Sequence, residues 1–243
     1  WSDEAGTVTA SKPKLRQMEL TLKKLMAVGY ATDELLQDAA ALEAVFRTAF
    51  TEELTFKVED AIINGTGSGQ PLGVLNSGGL VTVTAESGQA VQTIRAENVL
   101  KMWARTPLRS RKNLIWMCNQ DIEPQLWPLT IGADAGTIRL WQPPGTNNTS
   151  QGGLLLGRPV IPTEYNASLG TAGDLLLWDP QQYIMIDKNG LQSASSMHVN
   201  FLSAESCFRF IFRCDGQPVE RTAKVPFKGS ASISPYICLQ TRT

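Results

Sequence analysis

The stretch "EDAIINGTGSGQPLGVL", residues 59–75, decides how the rest of the chain is read. A charged, apolar-rich run stops at Asn64. Gly65, Gly67, Gly69 and Gly73 then follow with Pro71, Thr66 and Ser68 between them. Two chemistries use such a run: a phosphate-binding loop, or the end of a helix with a sharp turn. The phosphate loop fails on spacing. It needs a second glycine five positions after the first, followed by Lys and Ser/Thr, but Gln70 stands five after Gly65 and Leu72 five after Gly67. The dinucleotide pattern fails as well, because the glycine due three after its second glycine is replaced by Gln70 or Leu72. Element order is also reversed. Phosphate loops open a helix, whereas this run follows one and receives its partly negative carbonyl end. The structural reading predicts that Asn64 ends the helix and that Gly65 takes the left-handed position after it. Gly67, Gly69 and Gly73 then turn the backbone, and Pro71 fixes one φ.

Upstream, "ATDELLQDAAALEAVFRTAFTEELTFKVEDAIIN" predicts a helix over residues 32–64. Thr32 is the expected N-cap, and Asp33 and Glu34 put negative charge in the first turn. Leu35, Leu36, Ala39, Leu42, Val45, Phe46, Ala49, Phe50, Leu54, Val58, Ala61 and Ile62 recur at three-and-four spacing. No Pro or Gly interrupts the run, so a rod of ~45 Å follows at 1.5 Å per residue. Before it, Met18, Leu20 and Leu22 alternate with Glu19, Thr21 and Lys23, which predicts a strand or hairpin arm within 12–28.

Downstream the expectations are a strand in "GLVTVTAES" and a helix near 95–105 with Val99, Leu100 and Trp103 on its apolar face. A buried strand follows at 113–119. A short helix interrupted by Pro124 comes next, then a long exposed loop over 131–153. Two strands flank a turn at 188–190. Alternation resumes in the last third, with Phe208, Phe210 and Phe212 on one face, and Val225, Phe227 and Tyr236 carry the final strands. One long helix with strands in mixed order makes the fold class α+β.

Composition bounds the function. Apolar residues make up 42% and charged residues 19% of 243, and 22 basic against 23 acidic residues leave a net charge of -1. No basic excess proposes a nucleic-acid or membrane partner, and no apolar run nears the ~20 residues of a spanning helix. Cys118, Cys207, Cys214 and Cys238 form no CxxC and have only His198 to join them, so no metal site is expected and the thiols read as reduced and buried. With one His and no GxSxG, no nucleophilic triad is expected. Glu52-Glu53 and Glu59-Asp60 read as a solvated helix face. No catalytic residue, cofactor or metal ligand is assigned.

Taken together, Asp33-Glu34-Leu35-Leu36, Glu59-Asp60, Asn64-Gly65, Gly67, Gly69, Pro71 and Gly73 resemble a signature of tailed-phage major capsid proteins with the Hong Kong ninety-seven-type fold. Looser matches, such as "NLIWMCNQDIEPQL" and "GDLLLWDPQQYIMIDKNG", extend the resemblance over nearly the whole chain. It implies a peripheral domain (19–65 and 201–243), an axial domain (66–200) and, over 1–18, the remnant of an extended loop. It implies a non-enzymatic subunit that assembles with itself into hexamers and pentamers around double-stranded DNA, in a virion capsid built in the host bacterial cytoplasm. Scaffold, portal, maturation protease and decoration proteins are the implied partners. Because the chain starts at Trp1, the expectation is that an N-terminal arm and the outgoing loop strand are absent. Two alternatives stay open: an encapsulin-like compartment shell, and a soluble enzyme binding an anion in the glycine loop.

Overall fold

The computed structural model describes residues 12, 16–32, 34–35, 42–132, 138–145 and 152–242. Its spine is helix α1 (Leu42–Asn64), 23 residues without a break. A helical turn also stands at Glu34 and Leu35, where the Leu35 N–H donates to the Thr32 hydroxyl at 3.4 Å, so Thr32 caps as its residue type predicts. Asp33, Leu36 and Ala39, the remaining part of the expected helix start, lie outside the described residues.

Thr32 is at the same time the last residue of β1 (Lys23–Thr32), which sets in later than the alternation at 18–23 suggests. Met18, Leu20 and Leu22 are indeed more covered than Glu19 and Thr21. They are not paired as a strand, however. This segment is tied crosswise instead, by Arg16 to the Val219 carbonyl (2.8 Å) and by Gln217 to the Glu19 carbonyl (2.9 Å).

β1 belongs to a four-stranded antiparallel sheet centred on the 14-residue β12 (Glu205–Pro218). On the other side of β12, β10 (Tyr183–Asp187) and β11 (Gln192–Asn200) lie end to end, each paired to it. The jog between them is the turn expected at 188–190, with Asn189 and Gly190 both at positive φ. One face of this sheet carries Leu25, Ala27, Phe208 and Phe210 against Phe46, Phe50 and Leu54 of α1. The Phe50 and Phe210 rings stack at 4.9 Å. The other face carries Met26, Val28 and Tyr30, all exposed.

The second sheet has seven strands: β2 (Val81–Val83), β3 (Ile115–Asn119), β6 (Trp141–Gln142), β7 (Leu154–Leu155), β8 (Arg158–Thr163), β9 (Leu175–Trp178) and β13 (Tyr236–Leu239), in the order β2-β13-β9-β3-β8-β7-β6. A two-stranded ribbon, β4 (Thr130–Ile131) with β5 (Ile138–Arg139), stands apart. Both faces of the large sheet are covered, so its strands read as continuous apolar runs rather than alternating ones. The period of two still sorts them. Trp116, Cys118, Leu175, Leu177 and Ile237 share a core with helix α2 (Ala96–Ala104). Met117, Leu176, Trp178, Tyr236 and Cys238 pack on Ile63 at the end of α1 and on Val74. The spine therefore touches the small sheet with its middle and the large sheet with its tip.

Several local expectations are corrected. On α2, Asn98, Val99 and Met102 are fully buried, while Leu100 faces outward, because 99, 102 and 103 share the sheet-facing side. Pro124 opens helix α3 (Glu123–Leu126) rather than interrupting one; at the first turn its missing N–H costs nothing. Val225 and Phe227 lie in an exposed loop, not a strand. Sheet membership also cuts across the division implied by the resemblance. β10 and β11, from the 66–200 stretch, join the small sheet, and β13, from 201–243, joins the large one.

Candidate assembly junction and surfaces

The glycine run is the joint between the spine and the large sheet. Its turn is sealed by an isolated bridge between Thr66 and Leu72. Gly67 and Gly69 adopt φ of +81° and +72°, as predicted for turn-forming glycines. Gly65 does not take the left-handed conformation expected of it. The helix pattern continues through it, the Gly65 N–H donating to the Ala61 carbonyl at 3.0 Å. Glycine is needed there for closeness: a Cβ on Gly65 would stand 2.2 Å from the Pro71 carbonyl oxygen, and one on Gly73 2.5 Å from the Ile63 oxygen. The helix end is capped by a side chain instead. Asn76 Nδ2 donates to the carbonyls of Asn64 (2.8 Å) and Gly65 (3.1 Å). Asn64 turns its own Nδ2 to Asp60 Oδ1 and to the Tyr165 carbonyl, both at 2.7 Å.

The loop's polarity is opposite to that of an anion site. Its amide donors at Gly65, Gly67, Leu72 and Gly73 are spent on protein carbonyls. Its oxygens converge on a cation. Lys23 Nζ donates to the Gly67 (2.9 Å) and Gln70 (2.7 Å) carbonyls and lies 3.2 Å from Asp215 Oδ1. Asp215 is buried; its Oδ2 accepts from the Thr21 N–H at 2.7 Å and its Oδ1 from the Gly216 N–H at 2.9 Å. The Leu72 N–H donates to the Gly216 carbonyl (2.8 Å), and the Tyr183 hydroxyl to the Leu72 carbonyl (3.0 Å). Three pieces of chain thus meet around one ammonium: the segment entering β1, the spine's exit loop and the end of β12. Burial, then the nearby Asp215 and Cys214, push the Tyr183 hydroxyl pKa up, so it stays a donor.

A second contact joins the spine to β8. The Phe56 and Tyr165 rings lie 4.8 Å apart, and the Tyr165 hydroxyl donates to the Glu59 carboxylate. Burial and then that carboxylate raise the Tyr165 pKa to about 12.

Of the signature residues, Asp60, Asn64, Gly65, Gly67, Gly69, Pro71 and Gly73 are gathered at this joint. Glu34 and Leu35 stand apart on an exposed helical turn, and Asp33 and Leu36 are outside the described residues. Lys23, Asn76, Tyr165, Tyr183 and Asp215 were not expected there. Asp215 is a carboxylate taken out of water, and such a group needs a buried partner. Nothing local marks Lys23 as that partner, 192 positions away along the chain.

Reactive groups are muted. Burial, then Glu123 and Asp174, push the Cys118 thiol up to about 12, and all four cysteines are free and buried. Cys207 and Cys214 sit on one strand, too far along it to be bridged. His198 is exposed on β11. No group of metal-ligating side chains occurs among the described residues, and no described helix is long and apolar enough to cross a membrane.

The surfaces are unlike those of a self-contained globule. Met26, Val28 and Tyr30 are 49%, 41% and 55% exposed in one row on β1, and Val45 on the spine is 58% exposed. Leu202, at the tip beyond β11, is wholly exposed.

Several solved structures share this architecture. The chain is similar to the capsid of an empty GTA particle, with a TM-score of 0.72 at 18% identity, covering 100% of this chain and 80% of that one. It is similar to a structure of Microbacterium phage Oxtober96, with a TM-score of 0.64 at 13% identity over 98% of this chain and 80% of that one. It is also similar to the SrpI encapsulin of Synechococcus elongatus PCC 7942, with a TM-score of 0.59 at 12% identity over 90% of this chain and 73% of that one. No curated protein matches in a sequence comparison. The model of the phage capsid family matches residues 1–229. The chain, an α+β fold of the phage capsid type with a rod-like spine and bare apolar faces, is a structural capsid subunit and belongs to the phage capsid family.

Proposed function

We propose that this subunit assembles with itself into hexamers and pentamers of a tailed-phage or prophage shell that encloses double-stranded DNA without reading its bases, and that it catalyses no reaction. The observation that carries the reading is the bare row of Met26, Val28 and Tyr30 on β1 together with Val45 on the spine. A monomer gains nothing from such surface, while a tile loses it from water on assembly. A net charge of -1 fits a container that confines DNA instead of gripping it. The small sheet with the spine would form the peripheral domain and the large sheet the axial domain. The glycine joint would set the angle between them, and Asp60, Asn64, Gly65, Gly67, Gly69, Pro71 and Gly73 would serve that joint. Scaffold, portal, maturation protease and decoration proteins would be its partners, and the host cytoplasm its place of assembly. Electron microscopy and sedimentation of the purified chain across a concentration series should show rings or shells. A chain that stays monomeric at every concentration overturns the reading.

The likeness to an encapsulin supports a second reading, a compartment that holds protein cargo. Mass spectrometry of purified particles separates the two: packaged DNA with portal protein supports the phage shell, and a stoichiometric enzyme without DNA supports the compartment.

A further inference from the structure

The sequence Lys224-Val225-Pro226-Phe227-Lys228 is patterned like a strand, yet its apolar side chains are held in solvent. Val225 is 78% and Phe227 100% exposed. The loop bearing them has a fixed base. Lys224 and Ile233 exchange two backbone hydrogen bonds of 2.8 Å, and Arg105 donates to the Ser232 carbonyl at 3.1 Å. Lys224 is paired with Glu220, whereas Lys228 has no ion-pair partner among the described residues. A rigidly presented aromatic flanked by a free cation has the makeup of an interface anchor.

The same chain carries a matching recess. Between the spine and β8 lies an open groove of about 470 Å³, walled by Phe56, Ile161, Pro162 and Tyr165 and edged by Glu59 and Glu164. Ile161 is 41% exposed, and Glu164 has no ion-pair partner among the described residues.

Strand register shows that the two features lie at opposite ends of one sheet. Tyr236, just after the loop, pairs with Trp178, which pairs with Ile115, the first residue of β3. The groove is built from Gln120, just past the end of β3, and from Thr163, the end of the parallel β8. About 16 Å of strand separates them at ~3.3 Å per residue, so a chain cannot seat its own loop. Charge follows the same axis. Arg109, Arg111, Lys112, Arg221, Lys224 and Lys228 lie around the loop end, with Glu220 between Arg109 and Lys224. Glu59, Asp121, Glu123 and Glu164 lie around the groove end, with Lys57 over the Phe56 ring, so the balance is basic at one end and acidic at the other. Ends of opposite charge balance suit a head-to-tail contact between copies, the arrangement that closes into rings.

We propose that, in the assembled protein, this loop seats Phe227 in the groove of a second copy of the chain and sets Lys228 against that copy's Glu164. The inference rests on the shell reading and specifies one contact within it.

Charge reversal in the full chain tests it, with particle formation followed by sedimentation velocity and electron microscopy. Phe227→Ala, Lys228→Glu and Glu164→Lys each alter an exposed side chain and leave the monomer's melting temperature unchanged. Each should raise the concentration needed for assembly about tenfold or more. The double variant Lys228→Glu with Glu164→Lys in one chain should recover assembly, because every loop then meets an opposite charge in the groove of the next copy. As a second measurement, Phe227→Cys with Ile161→Cys should give a ladder of disulfide-linked copies on oxidation, the native thiols being buried. Wild-type assembly that survives all three substitutions, or particles that give no ladder, overturn the contact and leave the shell reading standing. A wild-type chain that never assembles overturns both.

Discussion

The large sheet and the small sheet are stabilised differently, and the contrast shows which part of the molecule is finished on its own. In the large sheet Trp116, Leu175, Leu176, Leu177, Tyr236 and Ile237 are all sealed from solvent, and cores lie on both faces. Asp174 is the best-matched buried polar group there, while Asn98 Nδ2 and Arg242 Nε have no hydrogen-bond partner among the described residues. Asp174 is paired with Arg242 and accepts from the Gly170 (2.9 Å) and Leu175 (2.7 Å) amides. The small sheet with the spine has a one-sided core whose buried residues are Ala31, Leu54, Phe208 and Phe210. Its far face is bare. On the spine, Thr48, Thr51 and Thr55 return their hydroxyls to the helix carbonyls four residues back, at 3.1, 2.7 and 2.8 Å, which leaves their methyls outward. The large sheet is a folded body; the small sheet with the spine is a layer whose hydrophobic core lies on one face only.

The largest test of that contrast is Asp174→Ala. It strands the Arg242 guanidinium, 2% exposed, without its counter-charge, and should cost about 3–5 kcal/mol in monomer and shell alike. Chemical denaturation of both forms checks it; a loss confined to the shell would mean the large sheet is not self-sufficient. Next comes Lys23→Met at the joint. It leaves Asp215 and two carbonyls without their cation and should cost about 1–3 kcal/mol. Hydrogen exchange should then show faster opening at residues 66–72 than in the large-sheet core, and uniform acceleration everywhere would place the joint's stability elsewhere. The smallest effect on the monomer is expected for Val28→Ser, within about 0.5 kcal/mol, because the side chain already faces water. The same change should weaken assembly clearly. An equal, negligible effect on both would show that the bare face of β1 stays bare in the particle.

What was legible in the sequence follows from range. The cap at Thr32, the end of the spine at Asn64, the positive φ at Gly67 and Gly69 and the turn at Asn189-Gly190 are set by residues a few positions apart, and local preference decided each. The buried strand expected at 113–119 was also readable, since so short an apolar run suits a strand covered on both faces. Misreadings occurred where distant chain supplied the reason. The alternation at residues 18–23 has the right faces but no strand to pair with, because β12 meets β1 only from Lys23 onward. Val225 and Phe227 alternate like a strand yet pair with no strand among the described residues. Gly65 obeys closeness to Pro71 and Ala61 rather than the helix-end rule.

By itself, then, the sequence determined the elements, their caps and turns, and through its helix-and-glycine signature the family, because these depend on short-range backbone preference and on side-chain period. Only the tertiary structure decided which strands share a sheet, that Lys23 and Asp215 hold the joint, and which apolar faces remain uncovered. Those outcomes depend on hydrogen bonds and contacts between residues far apart along the chain, which no local pattern encodes.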